Sequence, residues 1–328
     1  MRVKEMKAKL FVSKLNQLTK ALISMTPAQR EIVHQSIQAL DSEISIDELI
    51  QPLFDAKSQC PHCDSTQFKK WGKAGGIQRY RCNNCSKTFN NKTKTPLARL
   101  HKSHIWQAYA HCMQLRLTLR QAAKICDINL KTAFLWRHRF LQAQAGKNDD
   151  NLSGIIEVDE FFLAYSEKGS KTLSYRQKAR NRGGDIDKRT KKGQVAILLS
   201  IDRSKHMIAP ILSADTSSEI AINLIDNIEE NSVLCSDGSR AYVKIAAQKG
   251  CDHKRLINNK IRVMENIYHI QTVNGAIENF KAWINGSMKG VATKYLSHYL
   301  AWFKENSAKL DKQKILLSAY GRQQYYGT

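Results

Sequence analysis

The sequence predicts a multidomain α+β protein: helices first, then a short cysteine-clamped ribbon, then a helical pair, then a larger domain of interleaved strands and helices. Three observations predict it. Four of the eight cysteines form two Cys-x-x-Cys pairs separated by 18 residues. Helical periodicity with one tight break runs from 103 to 142. After residue 150 the pattern changes to short apolar, β-branched runs of strand length. At 328 residues and 42% hydrophobic, the chain can bury two or three cores. No apolar run approaches the ~18 residues that a membrane span needs.

Residues 1–55 read as a helical segment. Leu10, Leu15, Leu18 and Leu22 recur at helical spacing, and Thr26-Pro27-Ala28-Gln29 has the residues of an N-cap followed by proline at the first helical position. Asp47-Glu48 and Pro52 close the segment. Its seven bases and seven acids cancel, which suits packing or association better than a polyanion surface.

Residues 56–100 hold the ribbon and a basic linker that runs through Asn90 to Pro96. Cys60-Pro-His-Cys63 and Cys82-Asn-Asn-Cys85 have the spacing of a four-thiolate zinc site, two knuckles around one tetrahedral ion. Gly72, Gly75, Gly76 and the strand-like 77–81 between the pairs make a hairpin, so the whole reads as a zinc ribbon. Two disulfides are the alternative, but the basic N-terminus lacks the apolar core of a secretory leader, and a redox site needs only one pair. His62 lies inside the first knuckle with the four thiolates already filling the shell. Cys112, Cys126, Cys235 and Cys251 stand singly and read as small buried hydrophobes.

Residues 101–148 read as a helix-turn-helix region. Ser103 is placed to cap a helix that reaches about Arg116. Thr118-Leu-Arg-Gln121 has the capping-box spacing, Asp127-Ile-Asn129 makes a turn, and 130–140 forms an amphipathic second helix. In such a unit the second helix enters the major groove, which makes Lys131, Thr132, Arg137 and Arg139 the candidate contacts. A plain helical hairpin is the alternative; the Ala122-Ala123 packing, the tight turn and the local charge favour DNA.

Residues 149–310 are expected to form the larger domain, with strands at 155–163, 194–202, 206–212 and 233–236. Helices are expected at 217–229, 240–248 and 274–285. The basic stretch 166–193 is a long loop between the first two strands, and 311–328 is a C-terminal tail.

Charge separates these parts. The formal net charge is +23. Residues 56–148 carry 18 Lys/Arg against two acids, Asp64 and Asp127; residues 166–193 carry ten against three. These blocks hold the whole excess, which points to a polyanionic partner rather than to solvated faces, and nucleic acid is the commonest. Between them, 149–165 has five acids and no base.

Those acids carry the chemistry. Asp159 lies in the apolar run Ile155-Ile-Glu-Val-Asp-Glu-Phe-Phe162, where a carboxylate is costly unless it is paired or binds metal. Alternation puts Glu157 and Asp159 on one face and Glu160 on the other. Asp237 ends a strand at Asp-Gly; alone it reads equally well as a turn residue. Two strand-borne aspartates in one sheet can share hard divalent cations, Mg²⁺ or Mn²⁺. Further on, Asn274, Glu278 and Lys281 fall on one helical face at i, i+4 and i+7, able to present a third ligand and a phosphate-binding lysine.

The order of these features resembles a family. Zinc ribbon, helix-turn-helix, Glu-Val-Asp-Glu, Ser-Asp-Gly-Ser-Arg-Ala-Tyr, Val-Asn…Lys and then Gly290-Val-Ala-Thr-Lys-Tyr-Leu-Ser-His-Tyr-Leu-Ala-Trp302 look like bacterial insertion-sequence transposases of the DDE type. The branch is the one with an N-terminal zinc ribbon and Asn in place of the last Glu. The resemblance covers about 56–306. It implies an RNase H-like catalytic domain with a mixed five-stranded sheet flanked by helices, with Asp159, Asp237 and Asn274 as the catalytic, magnesium-binding set and Lys281 as the helical lysine. Glu278 stays open as the alternative third ligand.

The expected function is therefore a Mg²⁺-dependent polynucleotidyl transferase that binds the terminal inverted repeats of its element, cleaves them and joins the 3′ ends to target DNA. Double-stranded DNA is the expected partner, with a homo-oligomer assembled on it, no membrane, and a cytoplasmic, nucleoid-associated location. The 166–193 loop, with Arg176, Arg180 and Arg182, would grip DNA near the scissile phosphates. The competing expectations are a DNA-binding regulator with a vestigial catalytic domain and a structure-specific nuclease of the same fold.

Overall fold

The structure is a computed structural model and describes residues 13, 16–27, 29–31, 33–34, 46–142, 145, 151–172, 193–212, 217–256, 261–307 and 312–320. They fall into two compact units, one drawn from 1–91 and 100–116, the other from 92–99 and 117–328.

In the first unit Thr26 and Gln29 form a reciprocal cap: the Thr26 N–H donates to Gln29 Oε1 at 2.9 Å and the Gln29 N–H to Thr26 Oγ1 at 3.3 Å. Helix α1 (Ile46–Lys57) runs through Pro52 instead of closing there. The proline removes a single N–H from the ladder, and Phe54 beyond it is buried in an aromatic cluster with Phe68, Tyr80 and Phe89 that holds the C-terminal turn in place. The other three rings come from β1 (Phe68–Ala74), β2 (Ile77–Cys82) and β3 (Thr88–Asn90), an antiparallel sheet in that order. Ser103 caps nothing: it lies within a 3₁₀ turn, Ser103–Ile105, whose N-cap position is taken by Lys102 in a left-handed conformation. Helix α2 (Trp106–Gln114) follows.

The second unit opens with α3 (Leu119–Ile125) and α4 (Leu130–Gln142). The capping box at Thr118 and Gln121 is present in both directions. Helix α4 corrects one expectation. Arg137 is fully buried, donates from Nη2 to Leu117 O at 2.7 Å and lies 4.8 Å from the Trp302 ring, so it presents nothing to a DNA groove. The face expected to be basic and polar instead exposes Leu130, Phe134 and Leu135 beside Lys131.

The sheet of this unit comprises β4 (Ile155–Ala164), β5 (Gln194–Asp202), β6 (Met207–Ile208), β7 (Ile211–Leu212), β8 (Val233–Ser236) and β9 (Asp252–Arg255). Its order is β6-β5-β4-β8-β9, with β7 also on β5. The β4–β5 pair is antiparallel, while β4–β8 and β8–β9 are parallel. The strand expected over 206–212 is split in two. Pro210 accepts from the Leu198 N–H at 3.1 Å but has no N–H to return, so the ladder breaks there.

Helices α5 (Ser217–Ile225) and α6 (Arg240–Lys249) cover one face: Ile220, Leu224, Tyr242 and Ile245 pack with Ile156, Val158, Leu198 and Leu234. Helix α5 stops four residues short of its expected end. Helix α7 (Gln271–Ala282) lies on the opposite face, where Phe280 meets Phe161 of β4 at 5.9 Å. A π turn (Trp283–Ser287) leads on to α8 (Leu296–Ser307) and α9 (Lys312–Tyr320). The last is a correction to the expected tail: Ile315, Leu316, Ala319 and Tyr320 recur at helical spacing and are buried, and α9 packs against α4. Among the described residues no helix is long and apolar enough to cross a membrane.

Candidate active site and thiolate cluster

The acid site is a consequence of strand register. The parallel β4–β8 pair places Glu157 opposite Cys235. Two residues further along the chain from each of these stand Asp159, still within β4, and Asp237, just past the end of β8 where it gives way to a turn. That turn needs Gly238, at φ +93°, and a Cβ there would come within 3.1 Å of the Arg255 side chain. The Ser239 N–H donates to Asp237 Oδ1 at 3.1 Å and fixes the carboxylate.

Asp159 senses Asp237. Burial, and next the charge of Asp237, push the Asp159 carboxyl up to about 6, while the Glu160 N–H and Lys281 pull the other way. Glu160, on the opposite face as alternation requires, is also raised, first by burial, and accepts a hydrogen bond from Tyr242 Oη. The result is a group of carboxylates, Asp159 and Glu160 partly buried and Asp237 exposed, with Lys281 as the nearby ammonium among the described residues, and it offers hard oxygens and excess negative charge. That donor chemistry fits a divalent cation.

Helix α7 supplies the remaining groups. Asn274 and Glu278 are exposed on it, and Lys281 pairs with Glu278 at 3.1 Å. The helix is anchored by a residue to which the sequence assigned no role. Glu157, 1% exposed, accepts from the backbone N–H groups of Thr272 (2.7 Å) and Val273 (3.0 Å), and pairs with Arg203 at 2.6 Å and His269 at 3.2 Å. A carboxylate at a helix N-terminus satisfies orphan donors and meets the positive end of the dipole. From Glu157 to Phe161 the strand advances ~13 Å, and from Thr272 to Phe280 the helix advances ~12 Å, so strand and helix run in step. Asp159 therefore sits level with the part of α7 between Asn274 and Glu278.

In the first unit the cysteines come together as their spacing predicts. The four sulfurs lie within 4.8 Å of one another, Cys60 Sγ 3.7 Å from Cys85 Sγ and Cys63 Sγ 3.6 Å from Cys82 Sγ. Disulfide sulfurs would be ~2.05 Å apart, whereas a tetrahedron of 2.3 Å Zn–S bonds has edges of ~3.8 Å; all four cysteines are free. The knuckles repeat one another. The N–H of the first cysteine meets the carbonyl five residues on, Cys60 to Ser65 and Cys82 to Lys87, and the residue after the second cysteine, Asp64 or Ser86, is left-handed in both. Hydrogen bonds led by the Cys85 N–H lower the Cys82 thiol to about 6, while burial pushes the Cys60 thiol up to about 12, so a cation among the sulfurs would be needed to hold all four as thiolates. The cluster is compatible with zinc. On the adjoining hairpin, half-exposed Trp71 lies 5.6 Å from Lys69 Nζ and 4.7 Å from the Arg81 guanidinium.

Of the other candidates, Lys131 is exposed and Thr132 and Arg139 are partly so. Arg176, Arg180 and Arg182 lie outside the described residues. Tyr242 and Glu157 are additions; each is visible in the sequence only as a neighbour, in Ser-Asp-Gly-Ser-Arg-Ala-Tyr and two places before Asp159.

Residues 151–304 match the family model of the ISXO2-like transposase domain. Over 253 residues, 75% of this chain and 83% of the other, the sequence is 25% identical to a protein of Halobacterium salinarum described as an uncharacterized protein in transposable element ISH50. Among solved structures, a pre-cleavage Mos1 transpososome aligns over 90% of this chain and 99% of its own at 10% identity and a TM-score of 0.24. A Mos1 transposase paired-end complex with left transposon end aligns over 87% and 96%, also at 10% and 0.24. Overlaps at that score are too loose to carry a structural argument.

Proposed function

With an ISXO2-like transposase domain over residues 151–304, the chain is an insertion-sequence transposase of the DDE type, and we propose that it cleaves the ends of its element and transfers them to target DNA at the Asp159–Asp237 site. The observation that carries the reading is that the parallel β4–β8 pairing runs to Glu157 and Cys235, two residues before Asp159 and Asp237, and that the charges of both Asp237 and Lys281 act on the Asp159 carboxyl.

Asp159 and Asp237 would hold Mg²⁺ or Mn²⁺, with Asn274 as third ligand. Such an ion, when bound, offsets the charge that builds on a phosphodiester during exchange of its oxygens. Asn274 is favoured over Glu278 because Glu278 is already engaged by Lys281. Lys281 supplies a positive charge to a DNA phosphate near Asp159. Tyr242 donates to Glu160 and keeps that acid turned to the opposite face of β4. Glu157 fixes the start of α7 and so the height of Asn274. The strand order β6-β5-β4-β8-β9, antiparallel on one side of β4 and parallel on the other, supports an RNase H-like sheet whose third strand is split.

DNA binding would fall to the ribbon, clamped by zinc on Cys60, Cys63, Cys82 and Cys85, with the Lys69–Trp71–Arg81 surface against the backbone. On α4 it would fall to Lys131, Thr132 and Arg139, with Arg137 withdrawn from the set. Binding should weaken steeply with salt as counterions are displaced from phosphates. Arg176, Arg180 and Arg182 keep their proposed place near the scissile phosphates, and a homo-oligomer on DNA is part of the same reading.

The test is cleavage and strand transfer with Mg²⁺ on DNA carrying the element's ends. Asp159→Ala and Asp237→Ala should each abolish both steps, by ~10³-fold or more, while end binding stays within twofold of the parent. Undiminished cleavage in either variant refutes the site.

A further inference from the structure

A second site lies within the same unit, away from the carboxylates. Helices α3 and α4, the stretch after β4 and residues 287–299 line an open cleft of about 760 Å³, within the ~300–1,000 Å³ range of small-molecule pockets. Phe134, Tyr295 and Tyr299 give it aromatic walls. Arg120, Lys168, Lys289 and Lys294 are also among its lining residues, and among the described residues no acid lines it.

The wall is preformed. Lys168 Nζ donates to Lys289 O (2.7 Å) and Gly290 O (2.8 Å), and Ser166 and Thr293 exchange two hydrogen bonds of 2.8 and 2.9 Å. Arg137, which also lines the cavity, has a buried guanidinium whose Nε and Nη1 find no hydrogen-bond partner, and among the described residues no carboxylate pairs with it. A buried cation without a counter-ion is costly, and an anion brought in by a ligand would offset that cost.

Aromatic walls, surplus cations and a concavity too small for a duplex describe one ligand class. We propose that this cavity holds an unpaired nucleotide of the DNA that the transposase handles, its base against Tyr295 or Phe134 and its phosphate toward Arg137 and Lys294. The inference rests on the DNA transposase reading but not on the metal site. Bases stack on aromatic side chains whatever their sequence, so the site would select single-stranded character rather than a motif. It would act where an end has been freed or unwound, and Lys294 Nζ, 5.0 Å over the Tyr295 ring, would swing from that face to the phosphate of the base that replaces it.

The experiment uses the full chain and a fluorescein-labelled oligo(dT), followed by anisotropy and by photocrosslinking of a 5-iododeoxyuridine version. Tyr295→Ala and Lys294→Ser should each weaken oligo(dT) binding by ~10-fold or more and leave duplex binding within twofold, Tyr295→Phe should restore the parent affinity, and the crosslink should map to Tyr295 or Phe134. Equal losses on oligo(dT) and duplex, a crosslink confined to other residues, or duplex binding without any oligo(dT) binding would each overturn the proposal. So would a Tyr295→Ala protein that changes only its oligomeric state, which would make the cavity a seat for a second copy. Should Tyr295→Ala fail to fold, Lys294→Ser and the crosslink decide. Failure to bind any DNA would instead overturn the wider reading of DNA contact.

Discussion

The cysteine cluster and the carboxylate cluster solve opposite problems. The ribbon has three short strands, one aromatic cluster and exposed hairpin surface, and its four soft ligands come from 26 residues of chain. With zinc on its thiolates, as proposed, so small a ribbon would depend on the metal to fold. The carboxylates are drawn from β4 and the end of β8, with the neighbouring α7 more than a hundred residues from β4, and the sheet beneath them has its own core of Ile156, Val158, Leu198 and Leu234. There the fold comes first, and it holds Asp159 where burial raises its carboxyl. Metal would build the first site and would complete the second.

The sharpest way to break this contrast is to remove a ligand from each. Cys82→Ser should release zinc and unfold the ribbon, because a structural zinc site contributes on the order of 10 kcal/mol. The second unit should keep its melting transition. Asp237→Ala, by contrast, should leave both transitions in place. Zinc content by elemental analysis and two-probe thermal melts read this directly; loss of both transitions in Cys82→Ser would show that the units do not fold separately.

Glu157→Gln is the next largest effect and tests whether the sheet truly positions α7. The amide keeps one acceptor but loses the charge that meets Arg203, His269 and the helix N-terminus, so stability should fall by ~2 kcal/mol. The turnover rate should fall while end binding stays, since Asn274 and Lys281 move with the helix. A variant as unstable as expected but with unchanged turnover would make Glu157 structural only.

A pH dependence separates the units further. Burial, then the charges of His298, Arg137 and Lys294, hold His138 down to about 3, and burial lowers His298. His138 stacks on Tyr295, faces Phe134 and Tyr299, and contacts His298 Nδ1 to Nδ1 at 3.0 Å. For a histidine depressed in the folded state, the stabilising effect is full above the unfolded value near 6.5 and is lost as pH falls toward the folded one. The second unit should therefore melt at lower temperature at pH 5 than at pH 7, and His298→Asn should flatten that slope. An unchanged slope would remove the histidine pair as its cause.

The same contrast explains what the sequence could tell. Local chemistry was legible: the Cys-x-x-Cys knuckles, the Thr118–Gln121 capping box, the Asp-Gly turn and β5 and β8 to the residue. What depends on a distant partner was not. Arg137 reads as a surface base until Trp302 and the Leu117 carbonyl are in place. Glu157 reads as another strand acid until Thr272 and Val273 arrive from 115 residues away. Helix α9 looks like a tail because its apolar residues have no visible partner, and the break at Pro210 was hidden in a run whose apolar pattern suited one strand.

The smallest effect expected is also the one that settles the third ligand. Asn274 and Glu278 lie one helical turn apart on α7, flanking the level of Asp159, so geometry along the helix does not separate them. Their surroundings do. Glu278 is 74% exposed and spends its charge on Lys281 at i+3, an arrangement worth ~0.2–0.5 kcal/mol on a helix surface. Glu278→Gln should thus change stability by a few tenths of a kcal/mol and turnover by less than ~3-fold, through a freer Lys281. Asn274→Ala should cost ~100-fold by removing a ligand, and Asn274→Asp should keep measurable activity, because a carboxylate suits Mg²⁺ at least as well as an amide. These rates, measured on a pre-cut end so that cleavage does not mask transfer, need only their ranking to decide: a severe Glu278→Gln beside a mild Asn274→Ala would move the ligand one turn along the helix and free Asn274 from the site.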